Sequence, residues 1–280
     1  MHRLCSLFGM TASLPAFALV ACAQESLPPL PDDDPDTGRD ALRLDVGSTG
    51  GVEIYGVAPP PRPETGERPR YELYAKDDRG GDPRPLDIRA KDAVIDEETG
   101  TLAWIGDENE LWLAPADRAP EGRREVAAQA IVGLAAQGGQ VAFAVRIDGP
   151  ETAPMIVDVD ADEVRALDSG PGSDEVLGFS PSGDEVLLLS GRTGVASLFA
   201  ASLDQTPARQ LTNIGLEPGP ELDADATTPA PSHRADIAWE REGIAFRADD
   251  AVLRIAPGGE VRTFDADTTL DEALQKELPR

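Results

Sequence analysis

Between about residues 41 and 264, hydrophobic residues come in runs of four to six, separated by Gly, Pro and Asp. Most runs alternate apolar and polar positions or stay apolar over the length of one strand. No segment in this range keeps a helical period beyond two turns. The pattern therefore predicts an all-β domain, with strands in segments such as YELYA, TLAWIG, ELWLA, QVAFAV, PMIVDV, EVLLLS, GIAFRA and AVLRIA.

Two segments have sequences that could form a helix. The Ala-rich stretch 124–139 would permit a helix, but its position in the repeat described next favours strand–turn–strand. At the C-terminus, residues 267–280 contain TTLDEALQKELPR, in which Thr269 is a suitable N-cap and Glu272 follows three residues later. This spacing is typical of a capping box, so we expect a short C-terminal helix or tail.

The apolar segments repeat with a period near 40 residues. Measured at the third strand of each unit, the steps are 38, 44, 43 and 54 residues, and an acidic, Pro-rich insertion at 216–236 lengthens the last one. Four-stranded antiparallel units of this length are the blades of a β-propeller. Five blades can be assigned, and a sixth could be assembled from residues 41–57 and the C-terminal segment; the alternative is an unclosed β-sandwich or irregular β domain. The third strands start at Leu73, Leu111, Met155, Leu198 and Val252.

The clearest unit spans residues 178–213. It begins with the turn Phe179-Ser180-Pro181-Ser182-Gly183 and ends in a short strand that finishes at Leu211-Thr212. These residues resemble the TolB-type propeller repeat, a relative of the WD repeats. In the other units only a Gly and the apolar pattern remain of this resemblance. The resemblance as a whole extends over the domain 41–266. It implies a β-propeller of five to six blades, a fold whose relatives bind proteins.

The first 22 residues have a short basic start and an apolar run that ends at Leu19-Val20-Ala21-Cys22. This run is too short to be a good membrane span. It resembles a bacterial lipoprotein signal peptide (1–21) with a lipobox, which implies cleavage between Ala21 and Cys22 and a lipid, including palmitate, on Cys22. An ordinary secretory signal cut after Ala21 or Ala23 is the alternative. Residues 22–40 then read as the lipidated Cys followed by a disordered Pro/Asp-rich tether.

Charge and cysteine content restrict the partners. The chain has 52 acidic against 25 basic residues, a formal net charge of −27. Such a field repels nucleic acids and anionic headgroups, so membrane attachment has to come from a lipid. Because Cys5 lies in the segment expected to be removed, the mature chain would keep Cys22 alone and could form no internal disulfide.

Motifs for catalysis are scarce. His2 and His233 are the two histidines, too few for a zinc site or a His-based triad, and no G-x-S-x-G motif occurs. The run Asp158–Glu163 begins like an EF-hand, but Glu163 and Ser169 stand where Gly and Glu are required, so we interpret it as an Asp-rich turn. The sequence predicts no cofactor, no metal site and no enzymatic activity.

These observations favour an exported, lipid-anchored β-propeller that binds or scaffolds another protein in a bacterial envelope, at the outer membrane in preference to the inner one. The 216–236 insertion supplies the candidate binding residues. The alternative is a propeller hydrolase, glycoside-active or Ca²⁺-dependent, and three or more carboxylates within ~6 Å of one another with shifted pKa values would favour it. The candidate binding residues are Glu217, Glu221, Asp223, Asp225 and His233.

Overall fold

The computed structural model describes residues 41–59, 69–127, 131–148, 151–167, 170, 172–194, 196–204, 207–212, 237–248, 251–257 and 259–276. All of them lie in one compact unit, Arg39–Arg280. The signal peptide, the cleavage position and the tether expected over residues 1–40 lie outside the described residues.

The described residues form twenty strands and one α-helix. In chain order the first ten strands are β1 Leu42–Thr49, β2 Val52–Ala58, β3 Tyr71–Asp77, β4 Arg84–Ala90, β5 Asp92–Asp96, β6 Thr101–Ile105, β7 Leu111–Pro115, β8 Arg124–Ala127, β9 Ile131–Gln137 and β10 Gln140–Asp148. The remaining elements are β11 Glu151–Asp158, β12 Glu163–Ala166, β13 Asp174–Phe179, β14 Glu185–Ser190, β15 Ser197–Ser202, β16 Arg209–Gln210, β17 Ile237–Glu240, β18 Gly243–Ala248, β19 Ala251–Ile255, β20 Val261–Asp265 and α1 Leu270–Gln275.

The strands pair in sequence order into five antiparallel groups of four: β1–β4, β5–β8, β9–β12, β13–β16 and β17–β20, here called sheets 1 to 5. All five third strands predicted from the repeat are present, and the stretch 124–139 contains the two strands β8 and β9 where a helix was the alternative. The fold is a β-propeller built of four-stranded blades, as the sequence predicts. The strand expected to finish at Leu211-Thr212 is shorter than predicted, because β16 ends at Gln210.

Sheets 3 and 4 are continuous, because Gly133 of β9 pairs in parallel with Val176 of β13. This approach requires glycine. Gly133 has φ +68°, and a Cβ atom there would lie 2.6 Å from the Val176 carbonyl oxygen.

The sixth blade considered from the sequence is not found among the described residues. Residues 42–58 form β1 and β2 of sheet 1, and the C-terminal segment contributes β20 to sheet 5 and then α1. Each segment is therefore used within its own blade. The physical reason is that β2 pairs with β3 along six residues, which completes sheet 1 without a strand from the C-terminus.

Successive sheets pack through apolar faces, and we call each such contact a seam. Seam 1/2 contains Ile54, Leu73 and Trp104, and seam 2/3 contains Leu113 and the fully buried Phe143. Sheets 2, 3 and 4 contribute apolar residues to a cluster on each side, so each of them becomes stable only between neighbours. Seam 3/4 is built from Ile156, Val176, Leu188 and Phe199, and seam 4/5 from Leu187, Leu198, Phe246 and Ile255.

Helix α1 covers the other face of sheet 5. Its Ala273 and Leu274 are buried against Ala245 and Val252. The capping box predicted from the sequence is present: the Thr269 hydroxyl accepts from the Glu272 N–H, and the Glu272 carboxylate accepts from the Thr269 N–H. Terminal repeats of such arrays need a cap over their last apolar face, and α1 supplies it.

Candidate functional site

The binding residues predicted from the sequence, Glu217, Glu221, Asp223, Asp225 and His233, lie outside the described residues, as does Cys22. The structure brings none of them to a described site. Their roles remain predictions.

The Asp-rich run at 158–163 is the hairpin turn that the sequence predicts, between β11 and β12. The Asp158 carboxylate accepts from the Asp160 N–H at 3.1 Å and from the Ala161 N–H at 2.9 Å. Asp162 adopts φ +54° and forms an ion pair with Arg124 of sheet 2. These carboxylates therefore organise the turn and the neighbouring seam.

One end of the sheets, here called the hairpin face, carries the turns between first and second strands, at 49–52, 96–101, 137–140, 179–185 and 240–243. At seam 2/3 the buried Asp96 carboxylate accepts from the Gly139 N–H at 2.6 Å. At seam 1/2 the Thr49 hydroxyl donates to the Glu97 carbonyl at 3.5 Å. Consecutive turns of sheets 1, 2 and 3 are thus linked by polar contacts.

Seam 3/4 is also linked by polar groups, at the opposite end of the strands. The buried Thr152 hydroxyl donates to the Asp174 carbonyl at 2.6 Å, and the Thr152 N–H donates to the Gly172 carbonyl at 3.2 Å. The parallel pairing of Gly133 with Val176 adds to this connection.

Seam 4/5 differs from these three. No hydrogen bond or ion pair between residues within the described ranges crosses it, although the apolar side chains of the two sheets pack together. At the hairpin face the two sheets separate around a cleft of about 540 Å³. Clefts of this size are typical of sites that take a small molecule or a few side chains of a partner.

The cleft has an apolar floor and a polar rim. The floor is continuous with the apolar cluster of seam 4/5, where Leu211 and Trp239 are partly exposed. Such a combination gives binding energy from apolar burial and orientation from the polar groups. The floor comprises Leu211, Trp239, Ile244 and Ile255, and the rim Ser182, Glu185, Arg209, Gln210, Glu240 and Arg241.

The sheet 4 wall is a turn held by its own side chains. The Ser180 hydroxyl accepts from the Glu185 N–H at 3.1 Å and donates to the Asp184 carboxylate at 3.0 Å, and the Ser182 hydroxyl donates to the same carboxylate. These two bonds, that from Ser182 being the stronger influence, lower the pKa of Asp184 below its ordinary value of 3.8. Asp184 is consequently a fixed negative charge beside the cleft. Gly183 supplies the left-handed residue that the turn needs, at φ +77°.

The charged residues on the sheet 4 side pair with each other. The Arg209 guanidinium donates to the Glu185 carboxylate at 3.1 and 3.3 Å. Arg209 stays 61% exposed and Glu185 27%. At this exposure the pair orients two side chains and adds little stability.

The sheet 5 wall depends on Gly243 and Arg254. A Cβ atom at Gly243 would lie 2.1 Å from the Ile255 carbonyl oxygen, so only glycine fits at the start of β18. Arg254, 6% exposed, donates to the Glu242 carbonyl at 2.9 Å and to the Ala273 and Lys276 carbonyls at 3.3 and 2.5 Å. Arg254 thereby ties the 240–243 turn at the cleft to the C-terminal end of α1.

Within the described part of the chain, no group of three or more His, Cys, Asp or Glu side chains is arranged to hold a metal ion. No helix among the described residues is long and apolar enough to cross a membrane.

The sequence did not identify the cleft. It placed Trp239 among the core residues, and Trp239 does contact the core cluster, but its remaining surface lines the cleft. A signal was present in the charged tip Glu240-Arg241-Glu242 directly after an aromatic residue. Without the spatial position of the sheet 4 turn, that tip cannot be distinguished from any polar hairpin.

Comparisons with solved structures identify the fold. TolB from Acinetobacter baumannii has a TM-score of 0.50 at 16% identity, over 79% of this chain and 54% of that one. A TolB-type protein from Agrobacterium tumefaciens has a TM-score of 0.52 at 17% identity, over 80% of this chain and 81% of that one. A puromycin hydrolase mutant complexed with PGG has a TM-score of 0.50 at 19% identity, over 79% of this chain and 38% of that one.

The chain thus spans about half the length of the Acinetobacter protein and less of the hydrolase. No family model matches the sequence. No curated protein matches it either. At these identities the similarity establishes the propeller fold of TolB-like proteins and leaves function to be argued from the site.

Proposed function

We propose that this protein is an exported, lipid-anchored β-propeller that binds another protein in a bacterial envelope through the cleft at seam 4/5. The observation that carries the proposal is the cleft itself, about 540 Å³ with a continuous apolar floor and a charged rim. Clefts with these properties are the default binding sites of a fold. The likeness to TolB-like folds supports a binding module in general terms and gives no partner.

The hydrolase alternative has no comparable support. It would need a group of close carboxylates with shifted pKa values. Among the described carboxylates, the resolved shift is that of Asp184, whose pKa is lowered by serine hydroxyls of its own turn. The similarity to a puromycin hydrolase is one of fold.

Filling the cleft tests the binding role. Gln210 is exposed on the rim, so Gln210→Trp places a bulky side chain in the cleft with little disturbance of the core. Glu121→Trp adds the same bulk at an exposed turn of sheet 2 and is the control. We expect one protein to co-purify with the tagged wild type and with Glu121→Trp, and to bind both chains when it is purified. The same protein should be lost from Gln210→Trp. Equal recovery with all three chains would refute the cleft as the binding site.

The anchor is tested separately. Cys22→Ser removes the thiol that would be acylated, whereas Cys5→Ser changes a cysteine within the signal region. We expect Cys22→Ser to abolish labelling by radioactive palmitate and to move the protein out of the membrane fraction, and Cys5→Ser to change neither. Unchanged membrane fractionation of Cys22→Ser would overturn the anchor.

A further inference from the structure

We propose that the cleft at seam 4/5 binds an extended polypeptide segment in which basic side chains flank one apolar side chain. This inference rests on the proposed function and specifies the chemistry of its ligand. Three features of the cleft carry it: the exposed part of its floor, the charges around its rim and the strand that borders it.

The floor requires an apolar anchor. Leu211 and Trp239 are only partly buried, although both contact the closed cluster of Leu198, Phe246 and Ile255 beneath them. An aliphatic or aromatic side chain of a ligand placed on Leu211 and Trp239 would bury the apolar surface that these two residues leave exposed at the hairpin face. Burying one such side chain tightens binding by about tenfold or more, enough to decide between ligands.

Negative charge next to the rim favours a basic ligand. The lining residues balance in charge: Glu185 pairs with Arg209, and Glu240 stands beside Arg241. The excess comes from exposed acidic residues that are the chain neighbours of lining residues, namely Asp184, Glu242 and Glu260. Asp184 is ionised at physiological pH, since even the ordinary pKa of an aspartate lies well below it. With a net charge of −27 on the whole chain, the field attracts lysine and arginine and repels acidic segments.

The bordering strand favours an extended polypeptide over a small cation. β16 consists of Arg209 and Gln210, pairs with β15 on one side and has no further strand on the other within the described residues. Both residues line the cleft. An exposed strand edge of this kind is a site where an extended segment can add main-chain hydrogen bonds.

Three synthetic peptides test the ligand chemistry on the full chain. The first is a twelve-residue Gly/Ser peptide with one central leucine and two lysines on each side. The second replaces the lysines by glutamates, and the third replaces the leucine by glycine. Binding is followed by calorimetry and by tryptophan fluorescence, because Trp239 lines the cleft whereas Trp104 and Trp112 stack on each other in sheet 2.

We expect the lysine–leucine peptide to bind, and to bind at least about tenfold more tightly than either comparison peptide, in line with loss of one buried side chain or reversal of the charges. The fluorescence change should disappear in Trp239→Phe, which removes the indole that reports from the cleft. Equal or tighter binding of the glutamate peptide, or of the peptide without leucine, would overturn the proposal.

A pair of charge variants tests the location. Glu240→Gln with Glu242→Gln removes two charges at the cleft, and Asp78→Asn with Asp82→Asn removes two at the exposed β3–β4 turn of sheet 1. We expect the first pair to weaken the lysine–leucine peptide several-fold and the second to leave it nearly unchanged. Equal weakening by both would show general attraction to an acidic surface and refute the site. If no peptide binds but Gln210→Trp still loses the co-purifying protein, this ligand chemistry fails and the proposed function stands.

Discussion

The contacts that hold neighbouring sheets together differ between the first three seams and the last. The first three are seams 1/2, 2/3 and 3/4, and the last is seam 4/5. All four bury apolar side chains. The first three add hydrogen bonds between polar groups of neighbouring sheets, such as Asp96 with Gly139 and Thr152 with Asp174. Apolar packing is non-directional, whereas hydrogen bonds fix the position of the groups they join. The cleft opens at the one of these four seams where no hydrogen bond between described residues joins the two sheets.

The largest expected effect comes from removing one phenylalanine from each kind of seam. Phe143 of seam 2/3 and Phe246 of seam 4/5 are both fully buried, so alanine at either should cost about 3–5 kcal/mol. The location of the loss should differ. By hydrogen exchange, we expect Phe246→Ala to increase opening in sheet 5 and α1 alone, and Phe143→Ala to reduce protection through several sheets. Uniform loss of protection in both variants would show that the seams are equivalent.

The second prediction concerns the joint between sheets 3 and 4. Gly133→Ala should destabilise the protein by about 3 kcal/mol, because it combines a left-handed conformation with a Cβ atom 2.6 Å from the Val176 carbonyl. Gly51→Ala is the matched control: its φ is +81°, but the nearest atom would lie 3.7 Å away. We expect the control to cost only about 1 kcal/mol in denaturant unfolding. Similar losses would mean that the close approach of β9 to β13 contributes nothing.

Much of this architecture follows from the sequence. The repeat located all five third strands, and Thr269 with Glu272 located α1, because apolar periodicity and capping are local properties. The described residues form five blades and do not assemble a sixth from the two end segments; the sequence left both numbers open, since pairing between distant strands is not encoded in any one segment. The cleft was missed for the same reason: Trp239 has the same pattern as a core residue, and its exposure depends on how far the sheet 4 turn lies from it.

The third prediction tests the polar link at seam 2/3. Asp96→Asn should cost about 1–3 kcal/mol, because the Asp96 carboxylate is buried and accepts from Gly139 across the seam as well as from Thr99. Asp158→Asn changes the turn between β11 and β12 of sheet 3, where both hydrogen bonds of the carboxylate are local. Thermal unfolding should show the larger loss for Asp96→Asn. A larger loss of thermal stability for Asp158→Asn than for Asp96→Asn would show that the hydrogen bond across seam 2/3 does not stabilise the protein.

The smallest expected effect is a pH dependence of the sheet 4 turn. Because the pKa of Asp184 is lowered by Ser182 and Ser180, its contribution to stability is complete above its ordinary value of 3.8 and is lost as the pH falls through the lower folded value. Wild type and Asp184→Asn should therefore differ above about pH 4 and converge below it in acid titrations of stability. Asp204→Asn, an exposed residue just after β15 of sheet 4, is the control. A difference that grows on acidification would contradict the assignment.

Hydrogen exchange of the full chain with and without the lysine–leucine peptide tests most directly that the open seam is the binding site. The account predicts slower exchange at Arg209–Leu211 and in the 240–243 turn, with the turns 96–101 and 137–140 unchanged. Protection confined to those other turns, or spread evenly over the hairpin face, would contradict it.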